Sequence, residues 1–357
     1  MPQFYDWEKT FSYDADVTMV IGARGYGKTY GLRRQFLRDY IRGGFRFVEV
    51  VRFKNELAGV SGGYFDRLLR TEEFEDYVCR YDGHRAYIAK KPDDYDDLDK
   101  KPKLKWDVIG YFIAMTDAQR AKKQTFDKVR RVVLDEAVLE RNDRYHTYLS
   151  NEHVVLANIV DTVSRERADV ASLRPRVYLL GNACDFGNPY FAAYGVTSDL
   201  RFGYRWFKNK TFLLHYVDSG DYGSEKLAGT VAGRMMQGTA EASVAAGNEF
   251  IGMTADFVQR KTKGAKFSFG VRYNGVIYGV WTDAQEGLYF VTKGAPNNAN
   301  PIYYLSNDQA QVNYIAARRT SKVFQIFAEA YYLSMIRYDS IDTKRNFIEV
   351  LNMFGVR

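Results

Sequence analysis

Between Val20 and Tyr30 the chain reads V-I-G-A-R-G-Y-G-K-T-Y. From Gly22 to Thr29 this is glycine, four residues, then glycine-lysine-threonine, the spacing of a phosphate-binding loop. Gly22 and Gly27 are expected to let the backbone turn tightly, so that N–H groups of Ala23, Arg24, Gly25 and Tyr26 converge on a triphosphate. A helix opening at Lys28 adds the positive end of its dipole. Lys28 is placed to reach the β and γ phosphates, and the Thr29 hydroxyl to ligate Mg²⁺. About a hundred residues on, Val132-Val133-Leu134-Asp135-Glu136 is an apolar run ending in two acids. Asp135 suits the residue that holds Mg²⁺ in P-loop proteins. Glu136 is positioned to polarise an attacking water, which a hydrolase needs and a small-acceptor kinase does not.

These groups require particular elements to hold them. Val17–Ile21 reads as a buried strand, and the spacing of Leu32, Phe36, Leu37 and Tyr40 predicts a helix over 29–41. Phe45–Val51 predicts a second buried strand, ending in Arg52-Phe53-Lys54. Ligands gather at the carboxyl ends of parallel strands, so Arg52 and Lys54 stand where a polyanion can be touched, or are solvated basic residues. A helix is expected over Tyr64–Tyr77, and strands over Arg85–Ala89, Val108–Met115, Arg176–Leu180 and Phe212–Val217. Asn182, just past one of these strands, is the candidate γ-phosphate sensor. A helix with Val154, Val155, Ile159, Val160 and Val163 on one face ends in Arg165-Glu166-Arg167. By itself Arg165 fits a surface ion pair at least as well as an arginine finger reaching a neighbouring subunit. The aromatic N-terminus (Phe4, Tyr5, Trp7, Phe11, Tyr13) is expected to pack at the edge of the nucleotide site.

Composition narrows the class. With 46% hydrophobic and 16% aromatic residues in 357, the chain can bury large cores, on a length prior of about two domains. The net charge of +7 favours a polyanionic partner without establishing one. Two cysteines, Cys79 and Cys184, are too few for a disulfide framework and fit a reducing compartment. The opening M-P-Q-F-Y-D-W-E-K-T does not read as a signal peptide, and no apolar run reaches the ~18 residues of a membrane span. The acidic stretch Asp93–Asp99 lacks the fixed spacing that preorganises a cation. His84, His146, His153 and His215 are scattered, so a metal centre is not expected.

Beyond a turn-rich break at 218–224 and a small-residue stretch to 248, the period changes. Strands are expected over Phe257–Arg260, Lys266–Tyr273, Val276–Thr282 and Leu288–Thr292, with Asn274-Gly275 a hairpin turn. Helical patterning returns from Asp308, with Val323, Phe324, Phe327, Tyr331, Met335 and Ile336 on one face. Residues 1–218, 219–248 and 249–357 are thus read as an α/β nucleotide-binding domain, a linker and a small α+β domain.

The motifs V-I-G-A-R-G-Y-G-K-T (20–29), V-R-F-K-N-E-L-A (51–58), L-D-E (134–136), D-T-V-S-R (161–165), G-N-A (181–183), N-P-Y-F (188–191) and Y-N-G-V-I-Y-G-V-W (273–281) together resemble the DNA-packaging (encapsidation) ATPases of phi-29-like tailed phages. The resemblance implies an ATPase domain with an additional strand between the P-loop strand and the Asp-Glu strand (the ASCE type). It also implies a C-terminal RNase H-like domain related to terminase nucleases. It implies a ring, pentameric in the family, at the portal vertex of a procapsid in the host cytoplasm, docked through a structural RNA and moving double-stranded DNA by ATP hydrolysis. Carried over by position, Lys28 and Thr29 bind phosphate and Mg²⁺, Asp135 holds the metal, Glu136 is the general base and Arg165 is the trans-acting finger. Lys54 and Lys122 match basic positions facing DNA or the neighbouring subunit.

One departure matters. A working nuclease of that fold needs acids on its first strand to hold two metals, and Lys266–Tyr273 has none. Asp256 and Asp283 do not supply the expected cluster, so binding without cleavage is expected. The competing readings are another P-loop enzyme, such as a helicase or small-molecule kinase, and a non-catalytic assembly or RNA-binding protein. The intact Lys28, Asp135 and Glu136 weigh against the last.

Overall fold

In the computed structural model, the apolar run after the aromatic N-terminal helix α1 (Trp7–Ser12) forms β1 (Val17–Ile21), and the phosphate-loop motif leads directly into α2 (Lys28–Gly43). The structure describes residues 5–93, 95, 102–139, 148–149, 151–165, 174–183, 188–196, 200–218, 229–236, 257–305, 310–318 and 320–353. Then follow β2 (Arg46–Val51), α3 (Glu56–Ser61), β3 (Tyr77–Tyr81), β4 (Arg85–Lys90), β5 (Asp107–Ala114), α4 (Ala118–Ala121), β6 (Val129–Leu134), α5 (Glu152–Ser164), β7 (Arg176–Gly181), α6 (Pro189–Tyr194), β8 (Gly203–Phe207), β9 (Phe212–Tyr216) and α7 (Val231–Met236). The carboxyl-terminal part contains β10 (Lys266–Tyr273), β11 (Val276–Asp283), β12 (Leu288–Lys293), β13 (Ile302–Tyr304), β14 (Tyr314–Ala316), α8 (Lys322–Tyr332), β15 (Ile336–Tyr338) and α9 (Ile341–Met353). Two units emerge: Met1–Cys184 with Arg201–Glu249, and Asp185–Leu200 with Phe250–Arg357. The stretch 219–248 falls outside the described residues except for 229–236, as do His146, Arg167 and Asp256 and most of Asp93–Asp99.

The first unit is built on a nine-stranded sheet in the order β3-β4-β5-β2-β6-β7-β1-β9-β8. Strands β5, β2, β6, β7, β1 and β9 run parallel, and antiparallel strands close both ends. β1, β2, β6 and β7 are buried almost throughout, because helices or loops cover both faces of a parallel sheet and no polar-out alternation is needed. β7 lies between the P-loop strand β1 and the strand β6 that delivers Asp135, which is the additional strand expected from the family resemblance.

Helix α2 buries Leu32, Phe36 and Leu37, an i, i+4, i+5 stripe, and ends at Gly44 in a left-handed conformation (φ 65°). Its Phe36 stacks on Phe47 of β2 with ring centroids 4.6 Å apart, and Phe47 stacks in turn on Tyr64 at 5.2 Å. Gly110 of β5 makes room for that stack: a Cβ there would fall 2.1 Å from Phe47 Cε1. Helix α1 packs on α2 through Trp7, whose Nε1 donates to the Lys28 carbonyl at 2.9 Å. Trp7 therefore braces the first turn of the phosphate-loop helix.

The second unit carries a six-stranded sheet in the order β14-β13-β10-β11-β12-β15. β10, β11 and β12 form an antiparallel meander, while β13 is parallel to β10, β14 to β13 and β15 to β12. The first five strands thus adopt an RNase H-like order. The β10–β11 hairpin turns through Asn274 (φ 47°) and Gly275 (φ 77°), the two left-handed positions of a type I′ turn. Phe324, Phe327 and Ala330 of α8 and Phe347, Val350 and Leu351 of α9 join the core of this unit. α6 belongs here too, and the Arg345 guanidinium donates to the Val196 carbonyl just after it.

Several local expectations are corrected. Tyr64–Tyr77 is no helix but a chain of tight turns, such as Leu68 N–H to Phe65 O at 2.8 Å and Phe74 N–H to Thr71 O at 2.9 Å. Its apolar residues are buried, but their irregular spacing seats them one by one rather than as a face. On α5, Val154 is exposed and Leu156 buried, so the inward face is rotated from the expected one. Phe257–Arg260 forms only an isolated bridge, Val258 to Tyr338. The C-terminal helical stretch is broken by Ser334 (φ 57°), which sends Met335 off the α8 face and Ile336 into β15.

Candidate nucleotide site

The loop between β1 and α2 is shaped by two left-handed glycines, Gly25 (φ 79°) and Gly27 (φ 81°). Gly22, expected to be a turn residue, is needed instead for close packing. Its N–H donates to Gly181 O at 3.2 Å, and a Cβ would sit 3.1 Å from that of Val217. Lys28, the first residue of α2, is 7% exposed; its Nζ donates to the carbonyls of Gly22 (2.8 Å) and Ala23 (2.9 Å) and to Asn182 Oδ1 (3.2 Å). The neighbouring central strand β7 therefore supplies Asn182, just past its end, to the lysine.

One strand further over, β6 presents its acids. Thr29 Oγ1 donates to Asp135 Oδ2 at 2.8 Å, and Asp135 Oδ1 accepts from the Glu136 N–H at 3.0 Å. A hydroxyl and a carboxylate oxygen side by side are the hard donors that Mg²⁺ prefers, so these residues fit that ion. Glu136 is exposed and adopts a left-handed backbone (φ 53°). A cavity of about 710 Å³ runs along the loop past Lys28, Thr29, Tyr30, Asp135, Glu136 and Asn182. Arg24 joins it to a second cavity, of about 550 Å³, that also touches Asp135 and Glu136.

Sequence reasoning missed the groups behind this second cavity. Glu49 of β2 is 3% exposed, accepts from the Tyr64 hydroxyl and lies 3.5 Å from Arg33 Nη2, one helical turn beyond Thr29. Burial pushes its carboxyl up to about 7, with Arg33 opposing and Asp135 adding to the shift. Arg52, at the end of β2, lines this second cavity, but most of its side chain is turned to buried partners. It is 4% exposed and bound to the fully buried Glu152 and to the carbonyls of Glu136 and Ala137. Lys54 is exposed in the turn after β2.

Arg165 and Lys122 are not part of either cavity. They meet at a recess of about 110 Å³ with Gln124, Phe126, Thr162 and Val163. Arg165 is exposed, with Nε 3.5 Å from Asp161 one turn back. In the second unit, Asp283 accepts from Thr262 Oγ1 and from the N–H groups of Gln285 (2.9 Å) and Glu286 (3.2 Å), so it caps a turn. Among the described residues no three His, Cys, Asp or Glu side chains gather in a metal-holding group.

A glycine loop between strand and helix, an acidic pair two strands away and one strand between them define a P-loop nucleotide-binding protein of the additional-strand class. The family model for the podovirus DNA encapsidation protein (Gp16) matches residues 2–353, and the chain belongs to that family, making it a DNA-packaging protein. The DNA packaging proteins of Bacillus phages PZA and phi29 are each 30% identical to it over 339 residues, 94% of this chain and 93% of theirs. Among solved structures, a chain of the bacteriophage Phi-29 viral genome packaging motor assembly superposes with a TM-score of 0.66 at 27% identity, covering 99% of both. The Phi-28 gp11 DNA packaging motor shares the fold, with a TM-score of 0.68 at 19% identity over 100% of this chain and 99% of that one.

Proposed function

We propose that this chain is an ATP-driven translocase that packages double-stranded viral DNA, hydrolysing ATP at subunit interfaces of a homo-oligomeric ring. The observation that carries the reading is the Thr29–Asp135 hydrogen bond, which joins the phosphate loop to the acidic pair and leaves Glu136 beside the same cavity. Lys28 and the loop N–H groups bind the β and γ phosphates, in competition with the carbonyls that Lys28 now contacts. Thr29 and Asp135 hold Mg²⁺, which when bound neutralises developing phosphate charge. Glu136 takes a proton from water as the water oxygen bonds to the γ phosphorus and the bond to the β-phosphate oxygen breaks, releasing ADP. Asn182, on the same lysine, reports the γ-phosphate.

Arg165 is the finger for a neighbour. That role is supported by its exposure and by its absence from the lining of its own nucleotide cavities. Lys122 shares its recess, and Lys54 is free to face DNA across the ring. A ring of five at the portal vertex, with a structural RNA as adaptor, is part of the same proposal through the family resemblance; the likeness to a chain of the Phi-29 viral genome packaging motor assembly supports assembly into a motor.

ATP turnover by purified protein with procapsids and DNA tests the reading. Glu136→Gln should bind ATP and lose about 10²–10⁴-fold in rate, the usual worth of a general base. Lys28→Ala should lose ATP binding, and Arg165→Ala should be partly rescued in mixed rings. Wild-type turnover by Glu136→Gln would sink the proposal, and strand displacement without packaging would make the protein a helicase.

A further inference from the structure

We infer that Arg52 and Glu152 are positioning residues for the water-activating turn; the inference rests on the role proposed for Glu136. A non-glycine residue at φ 53° is held there by its surroundings, since the left-handed region crowds Cβ against the following carbonyl. Here one guanidinium holds two points of the turn at once. Arg52 Nη1 donates to Glu136 O at 2.8 Å and Nη2 to Ala137 O at 3.0 Å, so two successive carbonyls of the turn are gripped together. The Ala137 N–H is tied to Leu180 O at 2.7 Å, which fixes the same turn from β7.

The guanidinium is itself fixed. Glu152, 0% exposed, accepts from Arg52 Nε at 3.1 and 2.9 Å and from Nη2 at 2.9 Å. Its Oε2 also accepts the Leu149 N–H at 3.0 Å. The Arg52 backbone is anchored as well: its N–H donates to Glu56 Oε2 at 3.1 Å, and its carbonyl accepts from Thr116 N–H at 3.2 Å. A buried pair with both charges satisfied costs much to form and gains little net stability over apolar residues of the same size. What it supplies is direction: a planar fork aims at two carbonyls in a way an aliphatic chain cannot. Although Arg52 lines the second cavity, its guanidinium hydrogen bonds go to Glu152 and to the turn. The effect of the pair should therefore fall on the rate of the chemical step and leave ATP binding by Lys28 and Thr29 intact.

The test uses full-length protein with procapsids and DNA, measuring the melting temperature, ATP affinity and kcat. Removing one partner strands a buried charge, so the informative change is the double variant Arg52→Met/Glu152→Met, which removes both charges. It should bind ATP within about 3-fold of wild type and lose about 10²-fold in kcat, the scale set by a misplaced catalytic group. Arg52→Lys keeps the charge but lacks the fork, and should show the same split with a smaller loss; it decides the matter if the double variant does not fold. Wild-type kcat in both variants, or ATP affinity falling in parallel with kcat, would overturn the inference. Glu136→Gln runs alongside: if it turns over normally, the role of Glu136 has failed; if it is inactive while the clamp variants are not, only the clamp has failed.

Discussion

Glu49 is a fully enclosed carboxyl on the strand beside the acidic pair, and it has a measurable signature. Burial raises its pKa from 4.5 to about 7, with Tyr64, Arg33 and Asp135 the charged or titratable groups nearest it. The folded protein therefore holds this proton more tightly than the unfolded chain does. The stability it contributes is full below about pH 4.5 and is lost as pH rises through about 7. Glu49→Gln, uncharged throughout, should melt increasingly above wild type between about pH 5 and 8, a gap on the order of 1–3 kcal/mol at the upper end. A pH-independent gap would mean that Glu49 stays ionised. Residues of this kind explain what was legible. Lys28, Thr29, Asp135 and Glu136 announce themselves because their chemistry is written in local spacing. Arg52 and Glu152 are 100 residues apart, and nothing local marks an arginine and a glutamate as partners. Arg52 is marked in the sequence only as a basic residue at a strand end, which does not reveal its buried partner Glu152.

At the level of elements, the strands flanking the site were readable because a parallel strand buried on both faces is a continuous apolar run, as in β1, β2, β5, β6 and β7. β3 and β8 lie at the sheet edges and are only half-buried, while β13 and β14 are three residues long, so their patterns carry little signal. The Tyr64–Tyr77 stretch misled because burial without periodicity resembles a helix in composition alone. Packing between elements is tight where Phe36, Phe47 and Tyr64 stack over Gly110. Gly110→Ala should destabilise the first unit by about 1–3 kcal/mol, as overpacking of a filled core does. The denaturation midpoint reads this out, and an unchanged midpoint would mean that the Phe47 ring can slide aside.

On the scale of the whole molecule, charge and fold bear on what the protein does to DNA. Its grip should be electrostatic and indifferent to base sequence, because phosphates carry the contact. Binding should weaken steeply between about 50 and 200 mM salt, with Lys54→Ala reducing the slope of log K against log salt by about one. A slope unchanged by Lys54→Ala would remove that lysine from the DNA path. The RNase H-like unit should not cut DNA with Mg²⁺ or Mn²⁺, since β10 bears no acid and Asp283 is engaged in capping a turn. Metal-dependent cleavage abolished by Asp283→Asn would reverse that assignment.

The two units are not beads on one string. Residues 185–200, including α6 with its fully buried Tyr190 and Phe191, leave the first unit after β7 to join the second, and the chain then returns to make β8 and β9. The polypeptide thus passes between units near 184, 200 and 249. A single genetic crossover near 249 cannot exchange the carboxyl-terminal module for a foreign one cleanly, because the recombinant would keep an α6 shaped for a core it no longer has. Inheritance of the two units is stitched together by sixteen residues.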